Sequence, residues 1–387
     1  MVPPSVGRVR ILHTSDWHVG RTFHGRDLLA DQDRVLSALA DVVAERGVDV
    51  VLIAGDIYDR AVPSADAVQV ATRALERIRR AGAEIVAISG NHDSAPRLGA
   101  FGSFLSAGGL HLRTATDAIA SPVMLADDAG PVAVYGIPYL EPEIVRHRLG
   151  VDGRASHQAV LAEAMSRIRA DLAGRGGCRS VVLTHAFVVG AVPGGSERSI
   201  AVGGVESVTG EIFDGVDYVA LGHLHNQQVL DDRMRYSGAP LPYTFTEAGR
   251  EKGCWLVDLA ADGTTQTEWV GLPVVRPLAT VRGMLAEVLT GNAHLVDHYL
   301  AVDLIDPVRP ADPMHRLREV FPHVLSVSWE PPTGADRPIV VAAAADHSDR
   351  SVIAAFLADC RGGGPSGPEE LLVDRALAAA RGGAGAG

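Results

Sequence analysis

The chain has 387 residues, of which 47% are hydrophobic and 21% charged, and its formal net charge is −12. At roughly 100–200 residues per domain the length allows two or three domains, and the apolar content excludes disorder as the main state. No apolar run approaches the ~20 residues that span a bilayer; the first ten residues contain two prolines and no apolar signal core; and the scattered Cys178, Cys254 and Cys360 exclude a disulfide framework or a cysteine zinc site.

A cytoplasmic protein without membrane association is the expectation. The acidic balance argues against a simple basic nucleic-acid binder. It does not exclude DNA, because carboxylates gathered around metal ions are neutralised by them. Lys252 is the only lysine, and in a chain so rich in Ala and Gly the preference for arginine reads as compositional bias.

In chain order, Val9–His13 is the first strand candidate. Asp27–Arg46 places apolar residues at helical spacing, from Leu28 through Val35, Leu36 and Leu39 to Val43. Asp49–Ala54 is a continuous apolar strand. Ser64–Ala81 predicts a helix with Ser64 as its N-cap. Glu84–Ser89 is a third strand, and Val132–Ile137, Ser180–Thr184 and Tyr218–Leu221 add more. Wholly apolar strands between helices predict an α/β fold whose sheet is covered on both faces. After Leu272–Pro277 the pattern shifts to a small α+β unit (Leu278–Ala286, Tyr299–Leu304, Met314–Val320, Val324–Val327). Pro331–Pro338 leads to Ile339–Ala344, Arg361–Pro368 is a break, and Glu369–Ala380 is a short helix before a disordered GGAGAG end.

The chemistry lies directly after the strands. The first runs into Asp16 and His18, the second into Asp56 with Asp59 behind it, the third into Asn91, His92 and Asp93. Later strands run into His185 and into His223 and His225. Taken singly these signals are ordinary. A DxH pair is common by chance, Gly-Asp after a strand is often a turn, GNHD could be a helix cap, and a lone Thr-His is more often a satisfied core histidine. GHLH, with two histidines on one face of an extended segment, is stronger. The joint pattern decides, because ligands bind beyond the carboxyl ends of strands in open α/β sheets, where distant residues converge. Gly55, Gly90 and Gly222 allow sharp turns and close approach beside them. Carboxylate, amide oxygen and imidazole suit Mn²⁺, Fe²⁺ or Zn²⁺. Seven candidate ligands exceed one tetrahedral zinc and fit two metals ~3.5–4 Å apart sharing a carboxylate.

The runs ILHTSDWHVGRTF, VLIAGDIYDR, SGNHDS, LTHAFVVGA, YVALGHLH and YSGAPLPYTFTE, in this order, resemble the calcineurin-like metallophosphoesterases. The closer resemblance is to the SbcD family, the bacterial branch of the double-strand-break-repair nucleases. SER-x-I-x-VGG at Ser196–Gly204 is similar to that branch as well. The resemblance is specific from Arg8 to about Val275 and weak in the tail. It implies a metallophosphoesterase β-sandwich flanked by helices over residues 1–272, a small α+β capping domain over 273–345, and a C-terminal segment over 346–387 that binds an ATPase partner.

The resemblance implies a first metal held by Asp16, His18, Asp56 and His225, and a second held by Asp56, Asn91, His185 and His223, with Asp56 bridging. His92 matches the family's catalytic histidine, which contacts the phosphate and assists the leaving group. Relatives often carry a second phosphate-contacting histidine where this chain has Asp59. The implied activity is Mn²⁺-dependent hydrolysis of DNA, 3′→5′ on duplex ends and endonucleolytic on single strands or hairpins, in repair, recombination and replication. The implied partners are DNA, an SbcC-type coiled-coil ATPase contacted through Phe356, Leu371, Leu372 and Val373, and a second copy, as a homodimer within a heterotetramer. The alternative is another metallophosphoesterase, a nucleotide or protein phosphatase. A non-enzymatic scaffold would be marked by an eroded ligand set, and here the set is complete.

Overall fold

Strands that are apolar along their whole length require cover on both faces, and this chain provides it with two stacked sheets and outer helices. The computed structural model describes residues 7–153, 155–193, 197, 207–330, 348–361 and 363–383. Ile339–Ala344 and, apart from Glu197, Ser196–Gly204 lie outside the described residues. Two compact units are present, Met1–Val275 and Arg276–Gly387.

In the first unit one six-stranded sheet runs in the order Thr265–Gly271, Gly253–Ala260, Arg8–Thr14, Val50–Ala54, Glu84–Ile88, Leu110–Leu112. The last four strands are mutually parallel. A second runs Gln228–Val229, Met234–Tyr236, Tyr218–Gly222, Arg179–His185, Gly130–Ile137, Val123–Asp127. Its strands 130–137, 179–185 and 218–222 are also parallel. Successive side chains on a strand point to opposite faces. Thus Ile11, Leu52, Val86 and Ile88 meet Val134, Val181, Leu183 and Ala220 in the core between the sheets. The far face of the second sheet packs Tyr135, Val182 and Val219 with Val160, Ala164, Met165 and Ile168 of the helix His157–Ala173. The result is a β-sandwich flanked by helices.

Leu29–Arg46 begins two residues later than the periodicity predicts, because Arg26–Asp27 forms a small hairpin with Thr22–Phe23. Ala65–Arg80 starts at the predicted cap, where Ser64 Oγ accepts the N–H of Ala67 at 3.2 Å.

In the second unit Leu278–Gly283, Tyr299–Leu304 and Val324–Trp329 form a parallel three-stranded sheet. Parallel neighbours need crossover connections, here the helices Leu285–Gly291 and Pro313–Val320. Leu285, Val288, Leu300, Val302, Leu317 and Phe321 close its core. The expected single element Leu278–Ala286 is therefore a strand followed by the start of a helix. Beyond it, Asp349–Arg361 and Gly367–Gly383 pack together, and Arg350 pairs with Glu370 at 3.3 Å and Asp374 at 3.1 Å.

Candidate metal centre

Parallel strands deliver their carboxyl ends to one edge of a sheet, and both sheets use that edge here. Asp16 lies two residues beyond its strand, Asp56 two, Asn91 three and His223 one, while His185 is the last strand residue. The turns are tied to one another. Asp16 N–H donates to the Gly55 carbonyl at 3.0 Å, and His18 N–H to that of Asp56 at 2.9 Å. Two glycines are required by close approach. A Cβ on Gly90 would sit 2.1 Å from Asp56 Oδ1, and one on Gly222 would sit 1.9 Å from the Ala54 carbonyl oxygen.

Four candidate ligands have backbones in a region that L residues seldom adopt. The φ angles are 53° at Asp16, 44° at His18, 51° at Asp56 and 106° at His223. Such strain costs of order 1–3 kcal/mol per residue and persists where the surroundings over-determine it. GHLH is consequently not the extended segment its spacing predicts. The strand stops at Gly222, and the N–H of His223 turns to donate to Asp16 Oδ2 at 3.0 Å.

The side chains converge. His18 Nε2 is 3.0 Å from His225 Nε2, 3.6 Å from Asp56 Oδ2 and 4.0 Å from Asp16 Oδ1. His185 Nε2 is 3.4 Å from Asp56 Oδ2 and 2.9 Å from Asn91 Oδ1, and its Nδ1 donates to the Ala54 carbonyl at 2.9 Å. The possible ligand atoms of Asp16, His18 and His225 lie within 4.8 Å of one another, as do those of Asp16, Asp56 and His185. Asp16 thus belongs to both triads, and Asp56 also reaches both His18 and His185. The side chain of His223 joins neither triad, although its ring centroid is 5.3 Å from that of His185.

His92 stands at the rim. Its N–H donates to Asp56 Oδ1 at 2.8 Å, and its ring centroid is 4.6 Å from that of His18. Its Nδ1 is 2.8 Å from the Asp59 carbonyl oxygen. A carbonyl only accepts, so Nδ1 carries the proton and Nε2 is left for another partner. Asp59 Oδ1 lies 3.7 Å from His18 Nδ1 and 3.7 Å from Arg21 Nη1.

Burial governs the electrostatics. Asp16 and Asp56 are almost wholly buried, and the ionic partners in their reach are imidazoles. Burial pushes Asp16 up to about 7, with the Asp56 charge adding to it against the pull of His185. Asp56 is held low despite its burial, chiefly by His185, which in turn rises to about 9 because Asp56 and Asp16 outweigh its own burial. Burial draws His223 down to about 3 and holds His18 and His225 well below the usual imidazole range. The neutral imidazoles of His18, His223 and His225, with His185, the buried carboxylates and an amide oxygen, make up the donor set that borderline-hard divalent cations favour, and a cation there would take the place of the proton that Asp56 and Asp16 now hold on His185. The residues fit such ions.

Sequence reasoning left the role of Asp93 open. Its carboxylate accepts three backbone N–H groups, from Ile57 at 3.1 Å, Tyr58 at 2.9 Å and Gly90 at 3.0 Å, and so ties the turn carrying Asp56 to the turn carrying Asn91. A second group was missed. Ser15 Oγ donates to Asp16 Oδ2 at 2.5 Å and lies 2.8 Å from Ser237 Oγ, which brings in the YSGAPLPYTFTE run. That run was legible only as a resemblance, because its contacts with the ligand-bearing turns are tertiary.

Residues 9–227 match the family model described as calcineurin-like phosphoesterase. With more than half of it so matched, the chain belongs to the calcineurin-like phosphoesterases, a family of phosphoester hydrolases. Residues 274–359 match a second model, SbcD_C, described as the type 5 capsule protein repressor C-terminal domain. The two together place the chain in the SbcD type of this superfamily. Among solved structures it is similar to TT1561 of Thermus thermophilus, at 13% identity over 68% of this chain and 99% of that one, with a TM-score of 0.39. It is also similar to GAP50, the anchor in the inner membrane complex of Plasmodium, at 10% identity over 85% and 99% with a TM-score of 0.42. A dimetal phosphatase from Danio rerio matches at 12% identity over 67% and 98%, with a TM-score of 0.39. Among the described residues no helix is long and apolar enough to cross a membrane.

Proposed function

We propose that the chain is the nuclease subunit of an SbcCD-type complex, hydrolysing DNA phosphodiesters with two divalent cations, most simply Mn²⁺. The observation that carries this reading is the meeting of Asp16, His18, Asp56, Asn91, His185 and His225, drawn from both sheets, within contact distance. Asp16, His18, Asp56 and His225 would hold one ion, and Asp56, Asn91, His185 and His223 the other. When bound, two such ions lower the pKa of water, neutralise phosphate oxygens and align the attack.

The protein groups do the rest. His185 is fixed by the Ala54 carbonyl, so its Nε2 faces the centre. His92, fixed through Nδ1, presents Nε2 to the phosphate and, when protonated, gives its proton to the leaving 3′ oxygen. Asp59, in place of the second histidine of many relatives, leaves that proton transfer to His92 alone.

Both 3′→5′ exonuclease action on duplex ends and endonuclease action on single strands or hairpins belong to this reading, as does a cytoplasmic place in DNA repair, recombination and replication. Residues 273–345 would serve as the capping domain that positions DNA, and 346–387 as the segment that binds the ATPase. Phe356, Leu371 and Leu372, each more than half exposed, would with the partly buried Val373 be the contact face for the coiled-coil ATPase. A homodimer within a heterotetramer completes the assembly. The test is Mn²⁺-dependent digestion of blunt and hairpin-ended duplexes, with and without the ATPase, beside a phosphomonoester. Cleavage of DNA over monoester supports the reading; monoester turnover with intact DNA overturns it in favour of a phosphatase.

A further inference from the structure

Lys252 is the one lysine of a chain with 35 lysines and arginines, and it is buried, at 6% exposure. A buried ammonium requires partners that satisfy its charge and its donors. It has two, the Glu247 carboxylate, to which Nζ donates through Oε2, and the backbone carbonyl of His225 at 2.7 Å. Glu247 is 1% exposed, so the pair sits inside the protein, directly behind a candidate ligand.

The pair is linked to both histidines of the first triad, through the His225 backbone and through Tyr243. The His225 carbonyl also accepts the Ala239 N–H at 3.1 Å, and the His225 N–H donates to Glu197 at 3.0 Å. Both peptides flanking His225 are thereby held. Glu247 Oε1 accepts the Tyr243 N–H at 3.3 Å. The Tyr243 ring stands edge-on to His18 and to His225, with centroids at 5.6 Å and 5.7 Å. Its hydroxyl donates to the Trp17 carbonyl, one residue before His18. Gln32 Nε2 donates to the His18 carbonyl at 2.8 Å and to the Tyr243 hydroxyl at 3.3 Å, closing the loop.

We propose that Lys252 and Glu247 are positioning residues, whose ion pair holds His225 and, through Tyr243, His18 in the spacing that takes one of the two divalent cations. The proposal rests on the metal-centre reading above and assigns a purpose to the YSGAPLPYTFTE run. A compact ammonium on a flexible stem suits two acceptors behind a ligand, where the broader guanidinium fork does not. Partners of this kind orient ligands, and their loss weakens metal binding by 10–100-fold in known sites.

The test is Mn²⁺ titration of the full chain, followed by calorimetry and by the Mn²⁺ electron paramagnetic resonance signal, with thermal unfolding in parallel. Three proteins are compared: wild type, Lys252→Met, and Lys252→Met with Glu247→Gln. The double variant removes the uncompensated buried carboxylate and guards against a simple folding failure. Wild type takes two ions. In both variants one ion is expected to weaken by about 10–100-fold while the other keeps its affinity, and the double variant recovers thermal stability without recovering that ion. Wild-type affinity for both ions in either variant, equal weakening of both, or recovery of affinity along with stability overturns the proposal. A wild type that binds fewer than two ions overturns the metal-centre reading instead.

Discussion

Asp56 holds two histidines at once: its Oδ1 accepts the backbone N–H of His92 at 2.8 Å, while its Oδ2 faces His185 Nε2 at 3.4 Å. The backbone of His92 is therefore held by Asp56 and its Nδ1 by the Asp59 carbonyl, and on the proposed reading Nε2 is the atom that meets substrate. His92→Ala is expected to keep the full metal complement and to lose about 10²–10⁴-fold in DNA hydrolysis, the usual scale of general acid–base catalysis. Elemental analysis beside a nuclease assay checks it. An unimpaired rate with metal bound would remove His92 from the mechanism.

Gly90 bears on the same carboxylate from the other side. A methyl there meets Asp56 Oδ1 at 2.1 Å and Asp56 N at 2.5 Å, and the backbone atom cannot swing away. Gly90→Ala should displace Asp56 and weaken Mn²⁺ binding by at least about tenfold, the lower end for disturbed ligand orientation. Isothermal titration measures this, and unchanged affinity would contradict the packing.

His13 supplies a pH test away from the ligands. It lies between the sheets, 3.0 Å from the Tyr218 hydroxyl and 3.1 Å from the Leu221 carbonyl. Burial lowers it from 6.5 to about 3. As pH falls below 6.5 the unfolded chain takes up this proton and the folded chain does not, so stability is lost progressively down to about pH 3. At 1.36 kcal/mol per unit the loss at pH 4.5 is about 2–3 kcal/mol. Urea unfolding at pH 7 and 4.5 should show a pH dependence smaller by about this amount in His13→Gln than in wild type. Equal dependence in both would mean that His13 is protonated in the fold.

On the last helix, Leu371 is 66% exposed, so a charge there disturbs little of the fold itself. Leu371→Glu is expected to abolish co-purification with the coiled-coil ATPase while Mn²⁺-dependent cleavage by the isolated chain persists. Retained binding would place the partner surface elsewhere.

The strands were legible because short apolar runs such as Val50–Ala54, Ile85–Ile88 and Tyr218–Leu221 leave few alternatives between helical stretches, and the ligand-bearing turns were legible because each follows a strand. Less could be read where tertiary contacts overrule local pattern. The turn at His223 depends on an Asp16 carboxylate 207 residues away. The helix Asp349–Arg361 was not foreseen, its run of small and mixed residues giving no clear stripe. Lys252 stands out in the sequence only as the single lysine, since nothing in its neighbours announces the carbonyl it holds. The role of Asp93 stays open in the sequence because its three backbone donors come from two separate turns.

The strained turns at Asp16, His18 and Asp56 stand on cores built mainly from apolar side chains. Such a frame is complete before any ion arrives, unlike a zinc finger, whose fold is tied by its metal. Chelation should therefore empty the protein without unravelling it. On the two-metal reading, occupancy would then follow which divalent ion is on offer, because a ready frame of carboxylates and imidazoles discriminates little among them by affinity alone.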